Sequence, residues 1–353
     1  MTARVDIAIP CFKYAHYLEG CVSSVLSQRD VDVRVLIIDD VSPDNTAEIA
    51  SHLMAADGRV SYTRNERNLG LIGSANRGVM EWASADYVVL LSADDLLAPG
   101  ALARATRLME ANPDVGLTFG MAYMFSEAEG ELKVGEQAET ETAIVSGKAF
   151  LRHVCTGSNP VPSPTAVMRT SVQHRIGGYN PAFRHTSDLD MWMRAAAAGR
   201  IGVINAIQGM YRWHSGNMSA AYHERPVGDR REIIETCRTF LADHGLMFPE
   251  FAGWLAGLER KFGFEALVDA SKAFERPGAD GWRDALDFAL EFRPDYRSMP
   301  AWWKFQAKRM MGRPLASALR KAGETIRPPR LHKPWHSHGN QIGWWPEPGE
   351  VQV

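Results

Sequence analysis

Cysteine is scarce in this chain. Its four cysteines, Cys11, Cys21, Cys155 and Cys237, are scattered over 353 residues. None has the paired spacing of a zinc site or a disulfide framework, so they read as reduced, mostly buried thiols. An excess of either charge is also missing. With 39 Lys and Arg against 42 Asp and Glu the formal net charge is −3, which gives no nucleic-acid footprint for the molecule as a whole. No apolar run is long enough to span a bilayer, and Met1-Thr-Ala-Arg-Val-Asp6 lacks the apolar stretch of a signal peptide. The expectation is a cytoplasmic protein, attached at most to the inner face of a membrane. Glycine is absent at one telling place. The first strand, Val5 to Ile9, runs into Pro10-Cys-Phe-Lys-Tyr14, whereas a dinucleotide-dependent oxidoreductase needs Gly-x-Gly-x-x-Gly there.

What is present centres on Tyr87-Val-Val-Leu-Leu91, which Ser92-Ala93 joins to Asp94-Asp95. The apolar run reads as a short strand buried on both faces. In an open α/β sheet, ligands bind beyond the carboxyl ends of the strands. Two carboxylates there need water, a cation or polar ligand groups. Their hard oxygens suit Mg²⁺ or Mn²⁺, ions that usually arrive with substrate phosphates. By itself an Asp-Asp pair is more often a turn that caps the next helix, here the one after Pro99. A second strand, Val33 to Ile38, ends at another such pair, Asp39-Asp40.

Strands and helices alternate through the first hundred residues: a helix from Tyr17 to Gln28, a weaker strand from Arg59 to Thr63, and a helix entered from Asn65 to Gly78. That order predicts a doubly wound, mostly parallel sheet with helices on both faces. Ser42 is placed to cap the helix after the second strand, with Pro43 at its first position. Residues 201–205 and 207–213 read as a strand pair that closes the core domain. From Arg225 onward the pattern is helical: Glu232 to Leu241, Phe251 to Phe274 and Trp282 to Phe292. The expected organisation is a catalytic domain over 1–222, a helical extension over 223–330 and an irregular tail over 331–353. The acidic stretch Glu127 to Glu141 reads as a solvated loop, and His332, His336 and His338 as a polar tail rather than a metal site. Between Arg297 and Lys333 ten basic residues face one acid, Glu324, with Trp302, Trp303, Phe305, Met310 and Met311 interleaved. Two readings stay open for that segment. It lies on an anionic membrane surface, or it packs by its Trp and Met side with its basic side in water.

Taken in order, Ile7-Ala-Ile-Pro10-Cys-Phe12, Ile37-Ile-Asp39-Asp40-Val-Ser42-Pro-Asp44, Asn68-Leu-Gly70 with Ala75-Asn76-Arg77-Gly78, and Leu91-Ser-Ala-Asp94-Asp95 form a pattern. It continues through Pro162 to Thr165, Gly177-Gly-Tyr179, Ser187-Asp188-Leu-Asp190-Met-Trp192-Met-Arg194 and Tyr211-Arg212-Trp-His214-Ser-Gly-Asn217-Met-Ser219. This series resembles the family 2 inverting glycosyltransferases, which have the nucleotide-sugar-binding GT-A fold, and it covers roughly the first 220 residues. No one motif suffices; their agreement in order is specific. The chain departs from the family at Lys13, where Asn or a small polar residue is usual, and at Val41, usually Gly. It departs again at Ser92, more often an acid, and at Ser187, usually Glu.

The resemblance implies that Pro10 and Phe12 line a base pocket and that Asp40 faces a uracil or thymine. Asn68 and Asn76 belong to the nucleotide-sugar site. Asp94 holds the ribose, Asp95 the metal, Mn²⁺ or Mg²⁺, and His214 reaches the metal or diphosphate. The implied partners are a nucleoside-diphosphate sugar and a glycan, lipid-linked or protein acceptor, with no nucleic acid. Two other functions were weighed: a sugar-phosphate nucleotidyltransferase, which needs a Gly-rich basic loop where Pro10 stands, and a catalytically dead scaffold. Retention of Asp40, Asp94, Asp95 and Asp188 together argues against the scaffold.

Inversion needs a base on the face opposite the diphosphate. Asp188 and Asp190 are two apart on one helix and point to nearly opposite sides. Asp190 lies four before Arg194, a spacing that permits an ion pair. Asp188 lacks that partner and is the expected base.

Overall fold

A computed structural model of the chain describes residues 2–126, 135, 137, 140–157, 159–218, 226–275, 281–293, 295–318, 341–347 and 349. By contacts the chain divides into two compact units. The first is Met1–Val154, Ser158–Ala220 and Trp335–Val353; the second is Cys155–Gly157 and Ala221–Pro334.

The first unit is built on a sheet. Strands β1 (Ala3–Cys11), β2 (Val31–Asp39), β3 (Val60–Arg64) and β4 (Tyr87–Leu90) lie in the order β3-β2-β1-β4, all parallel. Val5, Ile7 and Ile9 of β1 and Val33, Val35 and Ile37 of β2 are buried, so the apolar runs form a centre covered on both faces. Asp6 inside β1 is buried too. Arg34 of β2 donates to both its oxygens, and the Ser84 and Ala85 N–H groups donate to its Oδ2. Helices α1 (Ala15–Leu26), α2 (Thr46–Ala56) and α3 (Gly70–Asn76) make the crossovers, α3 continuing as a π-helical segment, Arg77–Trp82, that leads into β4.

Beyond β4 the sheet becomes mixed. Short β5 (Leu96–Leu97) is followed by α4 (Ala101–Ala111), the long β6 (Val115–Ser126), β7 (Thr142–Val145) and α5 (Gly147–Val154). Then come β8 (Val167–Arg169), α6 (Thr170–Ile176), α7 (Ser187–Ala198) and β9 (Arg200–Trp213). The order runs on from β4 through β8, β6 and β9 to β5. The strand pair expected over 201–213 is instead this single strand, β9. It stays beside β6 through register shifts at Gly120 and Met121, which absorb the break that Asn205 makes in the apolar pattern. Most of the acidic stretch 127–141 lies outside the described residues.

The fold expectation otherwise holds: a mostly parallel, doubly wound GT-A type sheet with helices, and a helical C-terminal region. Two local readings need correction. Ser42 does not cap α2. Its N–H goes back to Asp39 Oδ1, its hydroxyl receives the Lys13 N–H, and α2 starts at Thr46, whose N–H and hydroxyl both donate to Asp44. The tail is not wholly irregular either. Gln341–Ile342 (β10) pairs antiparallel with β6, and Trp344 stacks on His153 at 4.2 Å between centroids.

The second unit is helical: α8 (Pro226–His244), α9 (Phe251–Phe274), α10 (Trp282–Phe292) and α11 (Pro300–Met311). Phe251, Phe288 and Phe305 are among its fully buried side chains. Helix α11 carries the described part of the basic segment; residues 319–333, and all three tail histidines, lie outside. It packs through Phe305, set between Phe274 and Trp282 at 5.9 and 6.0 Å. Trp303 and Met310 point outward, 62% and 89% exposed, while Trp302 packs edge-on against Tyr296 at 4.5 Å. Among the described residues no helix is long and apolar enough to cross a membrane.

Candidate active site

The carboxyl ends of β1, β2 and β4 open onto one cavity of about 500 Å³. Pro10, Phe12, Asp40, Asn68, Asp94, Asp95 and Asp188 all line it. Seven residues separated by up to 178 positions therefore meet at the sheet edge. Pro10, Phe12, Asp40, Asp94 and Asp95 come from at or just beyond strand ends, Asn68 from the loop before α3 and Asp188 from the first turn of α7. Asn76 and His214 are not in the lining, and each has a structural partner instead.

One end of the cavity is built by β2. Asp39 is fully buried and takes the Ser42 N–H at 2.7 Å, the Tyr62 hydroxyl at 2.8 Å and Arg64 at 2.9 Å. Asp40 takes the Asn65 amide and the Leu69 N–H on Oδ1, both at 2.7 Å, and the Gly70 N–H on Oδ2 at 2.8 Å. Gly70 has φ +73°, the left-handed region that glycine enters without strain. Asn68 closes the same loop by donating to the Asp40 carbonyl. The two residues that depart from the family pattern here, Lys13 and Val41, have φ +64° and +63°. For β-branched Val41 that conformation is strained, which explains why glycine is the usual choice.

The end of β4 differs. Asp95 is buried, and its Oδ1 takes one backbone N–H, from Arg212 at 3.0 Å. Burial, followed by the adjacent Asp94 charge, pushes its pKa well above the ordinary carboxylate value. Arg212 donates its Nε to the Asp94 carbonyl, and its guanidinium lies over the rings of Tyr17 and Phe125 at 4.6 and 4.5 Å. Asp94 Oδ2 faces His214 Nε2 at 3.1 Å and the Asn217 amide at 3.4 Å. Since His214 Nδ1 receives the Gly216 N–H, the proton of a neutral ring belongs on Nε2, pointing at Asp94. Tyr14 donates to the Gly216 carbonyl, and its pKa is pushed up to about 12 by burial and the two acids.

Asn76 holds a turn. It donates to the Tyr179 carbonyl at 2.9 Å and accepts the Tyr179 N–H at 2.6 Å. A Cβ on Gly178 would sit 2.5 Å from its Oδ1, so the Gly-Gly-Tyr sequence and Asn76 fit as a unit. That turn leads to α7. There Asp190 forms the ion pair with Arg194 at 2.7 Å, and Arg194 also donates to the carbonyls of Ile176 and Gly178. Asp188, on the other side of the helix, opens to the cavity. Its Oδ2 takes the Asn159 amide at 2.9 Å and the Ser163 hydroxyl at 3.2 Å, and its Oδ1 the Leu189 N–H. Burial raises its pKa above the ordinary value despite those donors.

Residues 6–172 match the model of glycosyl transferase family 2. These residues form a family 2 glycosyltransferase domain. An uncharacterised glycosyltransferase of Methanocaldococcus jannaschii is 25% identical over 182 residues, 51% of this chain and 60% of that protein. The GalNAc(5)-diNAcBac-PP-undecaprenol beta-1,3-glucosyltransferase of Campylobacter jejuni is 31% identical over 152 residues, 42% of this chain and 47% of that protein. In fold, the family 2 domain and its extension are similar to residues 1–349 of S. aureus TarS. The TM-score is 0.55 at 16% identity, covering 84% of this chain and 91% of that one. TarS has also been solved with UDP-GlcNAc, where the TM-score is 0.53. The matched stretches span about three fifths of the first two relatives.

Several residues of the cavity lining carried no assigned role in the sequence: Tyr14, Ser163, Tyr179, Arg184, Trp192 and Asn217. Ser163, Tyr179, Trp192 and Asn217 stand inside motifs already singled out, so motif membership was a signal for them. Arg184 sits in a loop without periodicity and had none.

Proposed function

We propose that the family 2 domain transfers a sugar from a uridine or thymidine diphosphate donor to an acceptor hydroxyl, with inversion at the anomeric carbon. The observation that carries this reading is Asp188. It is a carboxylate whose pKa burial raises, held by Asn159, Ser163 and the Leu189 N–H, and it shares one cavity with Asp40, Asp94 and Asp95.

Pro10 and Phe12 offer the base an apolar wall. Asp40 has its protein donors on both oxygens, but only one on Oδ2, leaving that atom able to accept the imide N–H of uracil or thymine. The diphosphate then lies toward Asp94 and Asp95, where two carboxylates would repel it. Among the described residues no group of three ligating side chains is assembled. The hard, charge-rich oxygens of Asp95 fit a Mn²⁺ or Mg²⁺ ion that takes its remaining ligands from the diphosphate. Such an ion supplies positive charge to the leaving group. Asp95 would hold it, and His214 would join only by giving up its contact with Asp94.

Asp188 takes the acceptor proton while the acceptor oxygen bonds to the anomeric carbon and the bond from that carbon to the phosphate oxygen breaks. The nucleoside diphosphate departs as the anion. Asn159, Ser163 and the Leu189 N–H keep the carboxylate oriented during attack. A glycan, lipid-linked or protein acceptor is consistent with this chemistry. The exposed Trp303 and Met310 beside Lys304 support peripheral contact with an anionic lipid surface. Loss of sedimentation with phosphatidylglycerol vesicles on Trp303→Ala would test that contact, and no sedimentation of the intact chain removes it.

Calorimetry with UDP, dTDP, GDP and CDP, each with Mn²⁺ and with excess chelator, tests the donor reading. Tight binding of UDP or dTDP only with the ion is expected. Equal binding in chelator removes the metal, and a preference for GDP or CDP removes the assignment of Asp40.

A further inference from the structure

We infer that the acceptor carries an anionic group, a phosphate or a carboxylate, near the hydroxyl that is glycosylated, and that the Arg184 guanidinium holds it. The inference rests on the transferase reading of the cavity and names the chemistry of its second substrate.

Four carboxylates line the cavity, from Asp40, Asp94, Asp95 and Asp188, and Arg184 is the one arginine in its described lining. Every neighbouring arginine of the site is committed. Arg64 is bound to Asp39, Arg77 to Asn65, Arg194 to Asp190, and Arg212 to the Asp94 carbonyl and two aromatic rings. Arg184 is exposed, and among the described residues its guanidinium makes no ion pair or hydrogen bond. Five N–H donors therefore stand at the cavity wall in a fork suited to a carboxylate or phosphate.

Its backbone is not loose. Phe183 before it and Thr186 after it are buried, and the Phe183 N–H donates to the Asn180 carbonyl. The side chain is presented by an anchored segment, four residues before Asp188. An acceptor whose hydroxyl reaches Asp188 thus passes the loop that carries Arg184. The donor diphosphate is a poorer occupant, because in the proposed reading it sits at the other carboxylates, Asp94 and Asp95, where a divalent ion would neutralise it. The neighbouring position reinforces this. Ser187 stands where an acid is usual in the resembling family, so this segment carries a hydroxyl in place of one carboxylate. A neutral acceptor would leave the guanidinium without a counter-charge; an anionic acceptor would supply one, and the guanidinium would offset the repulsion that Asp188 exerts on that anion.

The test uses the full chain with saturating UDP and Mn²⁺ and three probes: methyl glucoside 6-phosphate, methyl glucuronide and methyl glucoside. Calorimetry or ligand-observed NMR should find at least one anionic probe bound about tenfold or more tighter than the neutral one, the ratio given by one charge-assisted hydrogen bond. Which anion wins identifies phosphate or carboxylate. Arg184→Gln should bring the anion to the neutral level, Arg184→Lys should keep part of the preference, and UDP affinity should stay unchanged in both. Equal binding of the three probes, no binding of any, or a preference that survives Arg184→Gln overturns the inference. So does a loss of UDP affinity in Arg184→Gln, which would move the guanidinium to the donor diphosphate. Failure of the wild-type chain to bind UDP at all strikes the transferase reading instead.

Discussion

Two strands of the same sheet end in Asp-Asp, and the two pairs do different work. At the end of β2, Asp39 and Asp40 together accept six hydrogen bonds from the protein, supplied by Ser42, Tyr62, Arg64, Asn65, Leu69 and Gly70. At the end of β4, Asp95 has the Arg212 N–H, and its charge is opposed by burial and by Asp94. Helix α7 repeats the contrast two residues apart: Asp190 is tied to Arg194, and Asp188 keeps a raised pKa at the cavity wall. An acid whose demands the chain satisfies, as at Asp39 and Asp190, builds the site. An acid left short of positive charge is available to a ligand. Asp40 lies between the two kinds, with room for one more donor on Oδ2.

The largest test of that division is Asp188→Asn. It should lower turnover by roughly 10²–10⁴-fold with donor affinity retained, because a general base is removed while the amide keeps one acceptor oxygen for Asn159 and Ser163. The pH profile carries the sign. A raised pKa means that the base is protonated, and the rate falls, as pH drops through a value above the ordinary carboxylate range. In stability, the same shift disfavours the folded ionised form from the unfolded pKa upward. Asp188→Asn should therefore be neutral or slightly stabilising at pH 7 in thermal denaturation. A folding defect would place Asp188 with the building acids.

Asp190→Asn should do the reverse. It leaves Arg194 short of its counter-charge in a nearly buried pair, an effect of about 3 kcal/mol measured by urea denaturation, with the surviving folded fraction still active. A stable but inactive Asp190→Asn would exchange the roles of the two residues. The smallest effect belongs to Val41→Gly. Relief of a left-handed, β-branched residue beside Asp40 should add about 1 kcal/mol of stability, reduced by the extra freedom glycine has when unfolded. Nucleotide affinity should not change. If stability falls, the Val41 side chain contributes packing that outweighs its backbone strain.

Much of this division could be read before any coordinates. Apolar runs buried on both faces have a plain signature, and each announces where it ends, so Asp40, Asp94 and Asp95 were placed at a sheet edge by periodicity. The Asp190–Arg194 pair follows from helical geometry within one turn. What escaped depends on approach between distant segments. Asn217 meets Asp94 across 123 positions, and Asn159 meets Asp188 across 29; no local pattern encodes either. His214 was assigned from its place in a motif; its ring is held by Gly216, two residues on, and by Asp94, 120 positions away, and only the second contact lay beyond local reading. Strand β9 escaped for another reason: a polar Asn205 in mid-strand resembles a break, and only the partner strand reveals the accommodation.

The return of the chain to its first unit has a consequence for biogenesis. Gln341–Ile342 lie against β6, and Trp344 packs beside Phe119, Phe150 and His153, after more than a hundred residues spent in the helical unit. During translation the sheet that forms the cavity is made first, but its flank at Phe119 stays uncovered until residues 341–344 have followed the helical unit out of the ribosome. A product terminated between Ala221 and Gln341 therefore carries an apolar scar on a sheet whose cavity residues are all present.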